Sequence, residues 1–192
     1  VDAIKVKKLF EEKNALLSGH FLLSSGLHSD TYFQSALILQ HPADASVLAQ
    51  GIAQKIKAAI KEDIDLVISP ALGGIVIGQE MGRALNKRAI FCERVEGKLV
   101  LRRGFSIAKD ERVLVVEDVV TTGLSTREVI EVVSGLGGIV VCCASLVDRS
   151  GGKVNFGVPL VSLLSLDVKS YKAEDCPMCK AGNTPIKPGS RK

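Results

Sequence analysis

At 192 residues, with 46% hydrophobic and 24% charged residues, the chain is long enough for one domain with a proper core and too balanced for a fibrous or disordered protein. A net charge of +4 helps to attract small polyanions but falls short of a nucleic-acid footprint, and no apolar stretch approaches the ~20 residues that span a bilayer. Aromatic residues make up only 4% and Trp is absent, so the core must be aliphatic.

The chain opens on VDAIKVKKLFEEKNALL, a charged amphipathic helix pattern without the apolar h-region of a signal peptide, which points to a cytoplasmic protein. Short strands around FLLSSG and DTYFQ follow. Strand-like runs then occur at Leu66–Ser69, Ala89–Cys92, Val113–Val116, Ile139–Leu146 and Pro159–Leu166. Helical patterns lie between several of them, at Pro42–Lys61, Gly74–Asn86 and Leu124–Leu136. This alternation predicts an α/β fold with a mostly parallel central sheet flanked by helices. The ends do not fit the alternation. Residues 1–35 and 167–192 are expected to fold together as a small hood over a core of residues 36–166, within a single domain.

The richest segment is VLVVEDVVTTGLST, Val113 to Thr126. An apolar run feeds the adjacent carboxylates Glu117 and Asp118, then a turn rich in small residues and hydroxyls, then a helix. In parallel sheets ligands sit beyond the carboxyl ends of the strands, where backbone N–H groups and a helix N-terminus cradle phosphate. The acidic pair suits a polyol or a hydrated cation, so the segment fits a phosphorylated sugar. SPALGGIVIG, Ser69 to Gly78, sets a second glycine-rich loop at the end of another strand. Neither a GxxxxGK[ST] loop nor a helix-opening GxGxxG occurs here, which argues against nucleoside triphosphates and dinucleotides.

The segment containing EDVVTTG resembles the phosphoribosyl-diphosphate motif of the type I phosphoribosyltransferases. Together with GHFLLSSGLHSDTYFQ (Gly19–Gln34), PALGG, LVDRSGG (Leu146–Gly152) and the tail YKAEDCPMCKAGNTPIKPGSRK, it is similar to the orotate phosphoribosyltransferases, over nearly the whole chain from about residue 15. That resemblance implies transfer of the 5-phosphoribosyl group from 5-phosphoribosyl 1-diphosphate to orotate in de novo pyrimidine (UMP) biosynthesis, with Mg²⁺ as cofactor and a homodimer as the working form. No nucleic-acid or membrane partner is implied, and no side-chain metal ligand is assigned. Two other readings share the same pocket: a transferase for a purine base such as xanthine, and a regulator that senses phosphoribosyl diphosphate.

By the same resemblance Glu117 and Asp118 bind the ribose hydroxyls. Thr121, Thr122, Gly123, Leu124 (by its backbone), Ser125 and Thr126 enclose the 5′-phosphate. Ala71, Leu72, Gly73 and Gly74 face the diphosphate. Arg149 meets the carboxylate or a carbonyl of the pyrimidine, and Tyr32 and Phe33 wall its ring. A KDHG-like loop core, common in the family, is missing from ERVEGKLVLRRGFSIAKDER (Glu93–Arg112). Its cations Arg94, Lys98, Arg102 and Arg103 are the available partners of the leaving diphosphate. Lys98, Arg94 and Arg102, with Asp118, form the catalytic set, and LVLRRGF also reads as one strand of a short hairpin. Family members often carry a lysine just before the SG of the hood segment, where this chain has Ser24 and Ser25, and another after an aromatic in the loop that reads ALGG here.

Of the five cysteines, Cys92, Cys142 and Cys143 read as buried structural thiols. Cys176 and Cys179 form a CPMC turn, favoured as structural over metal-binding because no second CxxC or HxxxH completes a zinc set. His20, His28 and His41 are expected to cap helices or lie at the surface.

Overall fold

The computed structural model describes residues 2–23 and 25–188; Ser24 and the basic finish of the tail lie outside them. Six strands form the central sheet: β3 (Leu66–Pro70), β4 (Arg88–Val95), β5 (Lys98–Leu101), β6 (Arg112–Val120), β7 (Ile139–Asp148) and β8 (Leu160–Ser165). Their spatial order is β5-β4-β3-β6-β7-β8, and every pairing is parallel except the β4–β5 hairpin. The hairpin accounts for LVLRRGF, whose first half is β5.

The apolar runs of these strands are near-continuous because both sheet faces are covered. Successive residues of β6 serve opposite faces. Leu114 and Val116 join the larger cluster, with Ile52 and Ile56 of α3 (Pro42–Ala59) and Ile77 and Met81 of α4 (Gly74–Leu85). Val113 and Val115 join the smaller one, against Val129 and Val133 of α5 (Leu124–Gly135). The buried thiols of Cys92, Cys142 and Cys143 fill sheet positions, and burial pushes them up to about 11, 12 and 12.

The N-terminal part of the expected hood divides. Helix α1 (Ala3–Glu12) buries Val6 and Phe10 in the main core, so it belongs to the body. What stands apart is the antiparallel hairpin of β1 (Leu16–Leu22) and β2 (His28–Phe33), followed by a short helix α2 (Ser35–Leu39) that the sequence pattern did not signal. The tail closes onto this hairpin. Tyr171 exchanges backbone hydrogen bonds of 2.8 and 2.9 Å with His28, and Ile186 bonds to Leu22 and His20 at 2.8 Å. The four-residue α6 (Pro177–Lys180) lies between these two anchor points.

Close packing of α4 on the sheet depends on absent side chains. A Cβ on Gly82 would sit 2.7 Å from Ala89 Cβ and 2.9 Å from the Lys87 carbonyl oxygen, both rigidly placed. Gly→Ala inside a helix normally gains about 1 kcal/mol, but overpacking of this kind costs about 1–3 kcal/mol. Gly82→Ala is therefore expected to lower stability by up to about 2 kcal/mol, read from the urea midpoint at unchanged m. A higher midpoint would show that the α4–β4 contact yields easily.

Candidate functional site

The chain leaves β3 towards β4 on one side and leaves β6 towards β7 on the other, so the carboxyl ends of β3 and β6 border the switch point of the sheet, where ligands bind in open α/β folds. The two loops singled out in the sequence sit at these ends.

After β3, the segment Ala71–Leu72–Gly73 turns into α4; its Ala71–Leu72 peptide is cis, and Ala71 N–H donates to the Cys92 carbonyl at 2.7 Å. Leu72 is exposed, whereas Gly74 is buried against β3 and β6: a Cβ there would lie 3.1 Å from Ser69 Cβ and 3.2 Å from the Val116 carbonyl oxygen. Gly73 faces Asp118 across the switch point, and a Cβ on it would lie 2.9 Å from both carboxylate oxygens. A side chain here would have to displace that carboxylate.

After β6, Thr121 and Thr122 lead to Gly123 at φ 77°, and α5 begins at Leu124 with no side-chain cap from Gly123. Leu124 N–H donates to Thr122 Oγ1 at 3.4 Å, while the N–H groups of Ser125 and Thr126 have no partner among the described residues and face an acceptor from outside. Thr126 is buried, Ser125 half-buried, and the Leu124 side chain points out to solvent, so Leu124 offers the site only its backbone. Arg127, which sequence reasoning missed, braces this turn. Its guanidinium donates to the carbonyls of Thr122 (3.3 Å) and Asn155 (3.2 Å) and lies 5.1 Å from the centroid of Phe156. An arginine four residues after a loop glycine was the available signal.

The acidic pair is unequal. Asp118 is half-buried, with Oδ1 accepting from Val119 N–H at 2.9 Å. Glu117 is buried, accepts from Asp118 N–H at 3.1 Å, and is held well above the usual carboxylate range, first by desolvation and then by the neighbouring Asp118 charge. The oxygen donors here are few and hard. They fit a Mg²⁺ ion that keeps several waters and takes further oxygens from a bound diphosphate; they do not form an all-protein cage.

Arg149, just past β7, is buried among hood residues rather than paired at the surface. Its Nη2 donates to Ser29 Oγ (2.9 Å) and to the Thr31 carbonyl (3.0 Å), and its carbon CZ lies 5.9 Å from the Phe33 ring centroid. Nε is buried without a partner among the described residues. Desolvation lowers the guanidinium pKa, opposed by Asp30 and Tyr32. Asp148 shapes the turn that presents Arg149, accepting from Ser150 N–H, Gly152 N–H and two serine hydroxyls at 2.6–3.1 Å. Asp148 was not singled out in the sequence; the SGG that follows Arg149, which needs such an acceptor, was its signal.

The aromatic pair separates. Phe33 lies in the core, edge-on to Phe10 at 5.8 Å, and acts as a floor under Arg149. Tyr32 is half-buried, and its phenol is raised by burial and by Asp118, so this hood residue feels the core carboxylate.

The four loop cations separate too. The β4–β5 hairpin turns at Glu96–Gly97, beyond the level of Cys92, which pairs with the last residue of β3. Arg94 is committed to Glu128 of α5 at 2.5 Å, and Arg103 to Glu93 at 2.9 Å. Lys98 and Arg102 are exposed, and neither has an ion-pair partner among the described residues. His41 stands at the N-terminus of α3 but makes no side-chain cap there. For His20 and His28 the expectation of a capping or surface role is overturned: both are buried and face Cys176 and Cys179.

Comparison with known proteins is consistent with this arrangement. A family model, Pribosyltran, described as a phosphoribosyl transferase domain, matches residues 35–167. The chain is 57% identical over 185 residues to the orotate phosphoribosyltransferase of Carboxydothermus hydrogenoformans, covering 96% of each chain. It is 52% identical to that of Caldanaerobacter subterraneus over 188 residues, covering 98% of this chain and 97% of the relative. Among solved structures, the orotate phosphoribosyltransferase from Aeropyrum pernix superposes with a TM-score of 0.64 at 29% identity, over 84% of this chain and 95% of that one. Leishmania donovani UMP synthase shares the fold, with a TM-score of 0.72 at 22% identity over 86% of this chain and 36% of that longer one.

A carboxyl whose pKa rises on folding supports the fold below its unfolded pKa, about 4.3 for Glu, and that contribution fades as pH climbs through the folded value. The Tm of the ligand-free protein should therefore fall between about pH 5 and about pH 8 by more than that of Glu117→Gln, which has no charge to bury. Each 1 kcal/mol is worth about 2–4 °C in a domain of this size. Parallel Tm curves for the two proteins would show that Glu117 ionises freely.

Proposed function

The chain belongs to the orotate phosphoribosyltransferases of the phosphoribosyl transferase domain family, and we propose that its two glycine-edged loops, its acidic pair and its buried hood arginine are the parts that carry the transfer from 5-phosphoribosyl 1-diphosphate to orotate. The products are orotidine 5′-monophosphate and diphosphate, in de novo pyrimidine synthesis. The observation that carries the assignment of parts is the unpartnered Nε of Arg149, buried beside a hood held over the switch point of the sheet.

In this reading the backbone N–H groups at the start of α5 and the hydroxyls of Thr121, Thr122, Ser125 and Thr126 take the 5′-phosphate, with Gly123 keeping the turn open. Glu117 and Asp118 accept from the ribose hydroxyls, a neutral diol that a half-buried carboxylate and a carboxyl held above its usual range can both bind. The backbone of Ala71 to Gly74 lies along the diphosphate. Asp118 would hold Mg²⁺ together with oxygens of the substrate; the ion, when bound, neutralises charge developing on the diphosphate.

Nucleophilic attack by deprotonated orotate N1 forms the N1–C1′ bond as the C1′–O bond breaks, and both electrons of that bond leave with diphosphate. The sugar passes through an oxocarbenium-like state, so the protein contributes positioning and charge stabilisation, and no covalent enzyme intermediate is needed. Lys98, on the projecting hairpin and without an ion-pair partner among the described residues, is the cation assigned to the leaving group; Arg102 is the second. Arg94 tethers the hairpin to α5. The working form is a homodimer in which this hairpin serves the neighbouring site. Buried unpaired thiols at Cys92, Cys142 and Cys143 favour a reducing cytoplasm. No helix among the described residues is long and apolar enough to cross a membrane.

The direct test is loss of orotate absorbance with phosphoribosyl diphosphate and Mg²⁺, abolished by EDTA, beside a parallel reaction with xanthine; turnover of xanthine in place of orotate would overturn the base assignment. Arg149→Lys keeps the charge but removes the fork. Hydrogen bonds to charged groups are worth about 1.5–3 kcal/mol, so KM for orotate should rise about 10–100-fold, while calorimetric affinity for phosphoribosyl diphosphate is unchanged. Equal losses on both substrates would remove Arg149 from the base pocket. Lys98→Ala should lower kcat by about 100-fold with little change in substrate affinity. Mixing it with inactive Asp118→Asn should restore activity if the hairpin works across a dimer, and no recovery would confine it to its own subunit.

A further inference from the structure

The hood holds a side-chain cluster that the transfer reaction does not use. His20 on β1, His28 on β2, and Cys176 and Cys179 at the ends of the CPMC turn each bring one ligand atom to within 4.8 Å of all the others. His20 Nε2 lies 2.9 Å from His28 Nδ1, 3.4 Å from Cys176 Sγ and 3.7 Å from Cys179 Sγ, and Cys179 Sγ lies 3.3 Å from His28 Nδ1. A tetrahedral zinc ion with Zn–N of about 2.0–2.1 Å and Zn–S of about 2.3 Å keeps its ligand atoms about 3.3–3.8 Å apart. These four distances lie within about 0.4 Å of that range, and Cys176 Sγ lies within 4.8 Å of Cys179 Sγ and of the nearest ligand nitrogen of His28.

Hydrogen bonding alone accounts poorly for this convergence. His20 Nδ1 is 3.0 Å from the Asn183 carbonyl oxygen, which can only accept, so the ring's hydrogen sits on Nδ1 and Nε2 presents a single lone pair. Three groups crowd that one lone pair: His28 Nδ1, Cys176 Sγ and Cys179 Sγ. If His28 Nδ1–H takes it, both thiols lose their acceptor on His20, and Cys179 is left with only a weak N–H···S contact to His28. A cation at the centre satisfies all four atoms together. The Asn183 carbonyl also fixes the tautomer that leaves Nε2 free to ligate, the outer contact a metal-binding histidine ordinarily has.

We infer that His20, His28, Cys176 and Cys179 bind a structural zinc ion that staples the tail to the β1–β2 hairpin. The S₂N₂ donor set and tetrahedral spacing select zinc over the hard, oxygen-seeking Mg²⁺ of the reaction. All four positions are filled by protein and three of the four residues are buried, so no place remains for a substrate. The sequence hid the set because its halves lie about 150 residues apart, and each looks unremarkable alone. The hood needs such a clamp: a two-stranded hairpin is marginal by itself, and the tail beyond β8 contributes one buried apolar residue, Cys176 itself.

The test begins with metal content. The chain, purified and dialysed without chelator, should carry about one equivalent of zinc by plasma mass spectrometry, released when a mercurial caps the thiols. Wild-type protein stripped of metal and titrated with Co²⁺ alone should develop the intense visible d–d bands and the thiolate charge-transfer band of a tetrahedral S₂N₂ site. Cys179→Ser and His28→Ala should each weaken Co²⁺ retention at least 10-fold, by about the amount that lost ligand contacts cost metal sites. Metal-free wild type that gives no tetrahedral Co²⁺ spectrum would overturn the inference. So would a native Cys176–Cys179 disulfide found by alkylation and mass spectrometry, or metal binding that survives in both variants. The cobalt titration uses the unaltered chain, so the inference stays exposed to refutation even where a variant fails to fold.

Discussion

The approach of Gly73 to Asp118 is the contact on which the candidate site turns. Parallel pairing brings β3 and β6 side by side, and their outgoing chains part in opposite directions, which opens a crevice between them. The carboxylate keeps its place undisturbed while the opposing loop carries no side chain, and the loop must enter its helix at once. Gly74 meets the second demand by packing against Ser69, Pro70 and the Val116 carbonyl. The bare backbone of the loop and the carboxylate opposite it are thus consequences of one steric condition. Helices α4 and α5 then hold the arrangement from opposite faces of the sheet, through separate apolar clusters.

The hood supplies what the sheet edge lacks, a cation in a dry place. Burying a guanidinium is costly, and the chain offsets that cost only in part. Ser29 and the Thr31 carbonyl satisfy Nη2, Phe33 lies beneath the guanidinium, and Nε is left over. An anionic planar ligand reaching Nε would remove the remaining penalty, so binding energy is stored in the ligand-free protein as an unmet hydrogen bond. The same low dielectric raises Glu117 and the Tyr32 phenol. Glu117 is buried although Asp118, its neighbour in sequence, is only half-buried.

What could be read from the sequence follows how local each feature is. The five parallel strands and the three long helices were legible because a strand buried on both faces and an amphipathic helix each write their pattern into contiguous residues. The ED and TTG segment was legible for the same reason, being strand, turn and helix start in one run. Features made by distant segments were not. Arg149 read as a group for the base, but its burial depends on Ser29 and Thr31, about 120 residues away. The cations Arg94, Lys98, Arg102 and Arg103 looked equivalent until Glu128 and Glu93 took two of them. Helix α1 was grouped with the hood because its charged face dominates its sequence, while Val6 and Phe10, only two residues, decide where it docks.

Strand β2 joins these separate pieces in six residues. His28 at its start sits in the histidine–cysteine cluster and bonds through its backbone to Tyr171. Ser29 and Thr31 hold Arg149, Tyr32 senses Asp118, and Phe33 anchors the end in the core. At about 3.4 Å per residue the whole chain of dependence is shorter than 20 Å. A loose hairpin at the His28 end would be felt at Thr31, because a strand transmits displacement along its length far better than a loop. Anchoring Phe33 in the core fixes only one end; the tail, clamped at His20 and His28, fixes the other. The residues at the far end of the hairpin thereby set how rigidly Ser29 and Thr31 present the Arg149 guanidinium, and a group held rigidly loses less entropy when a partner reaches it.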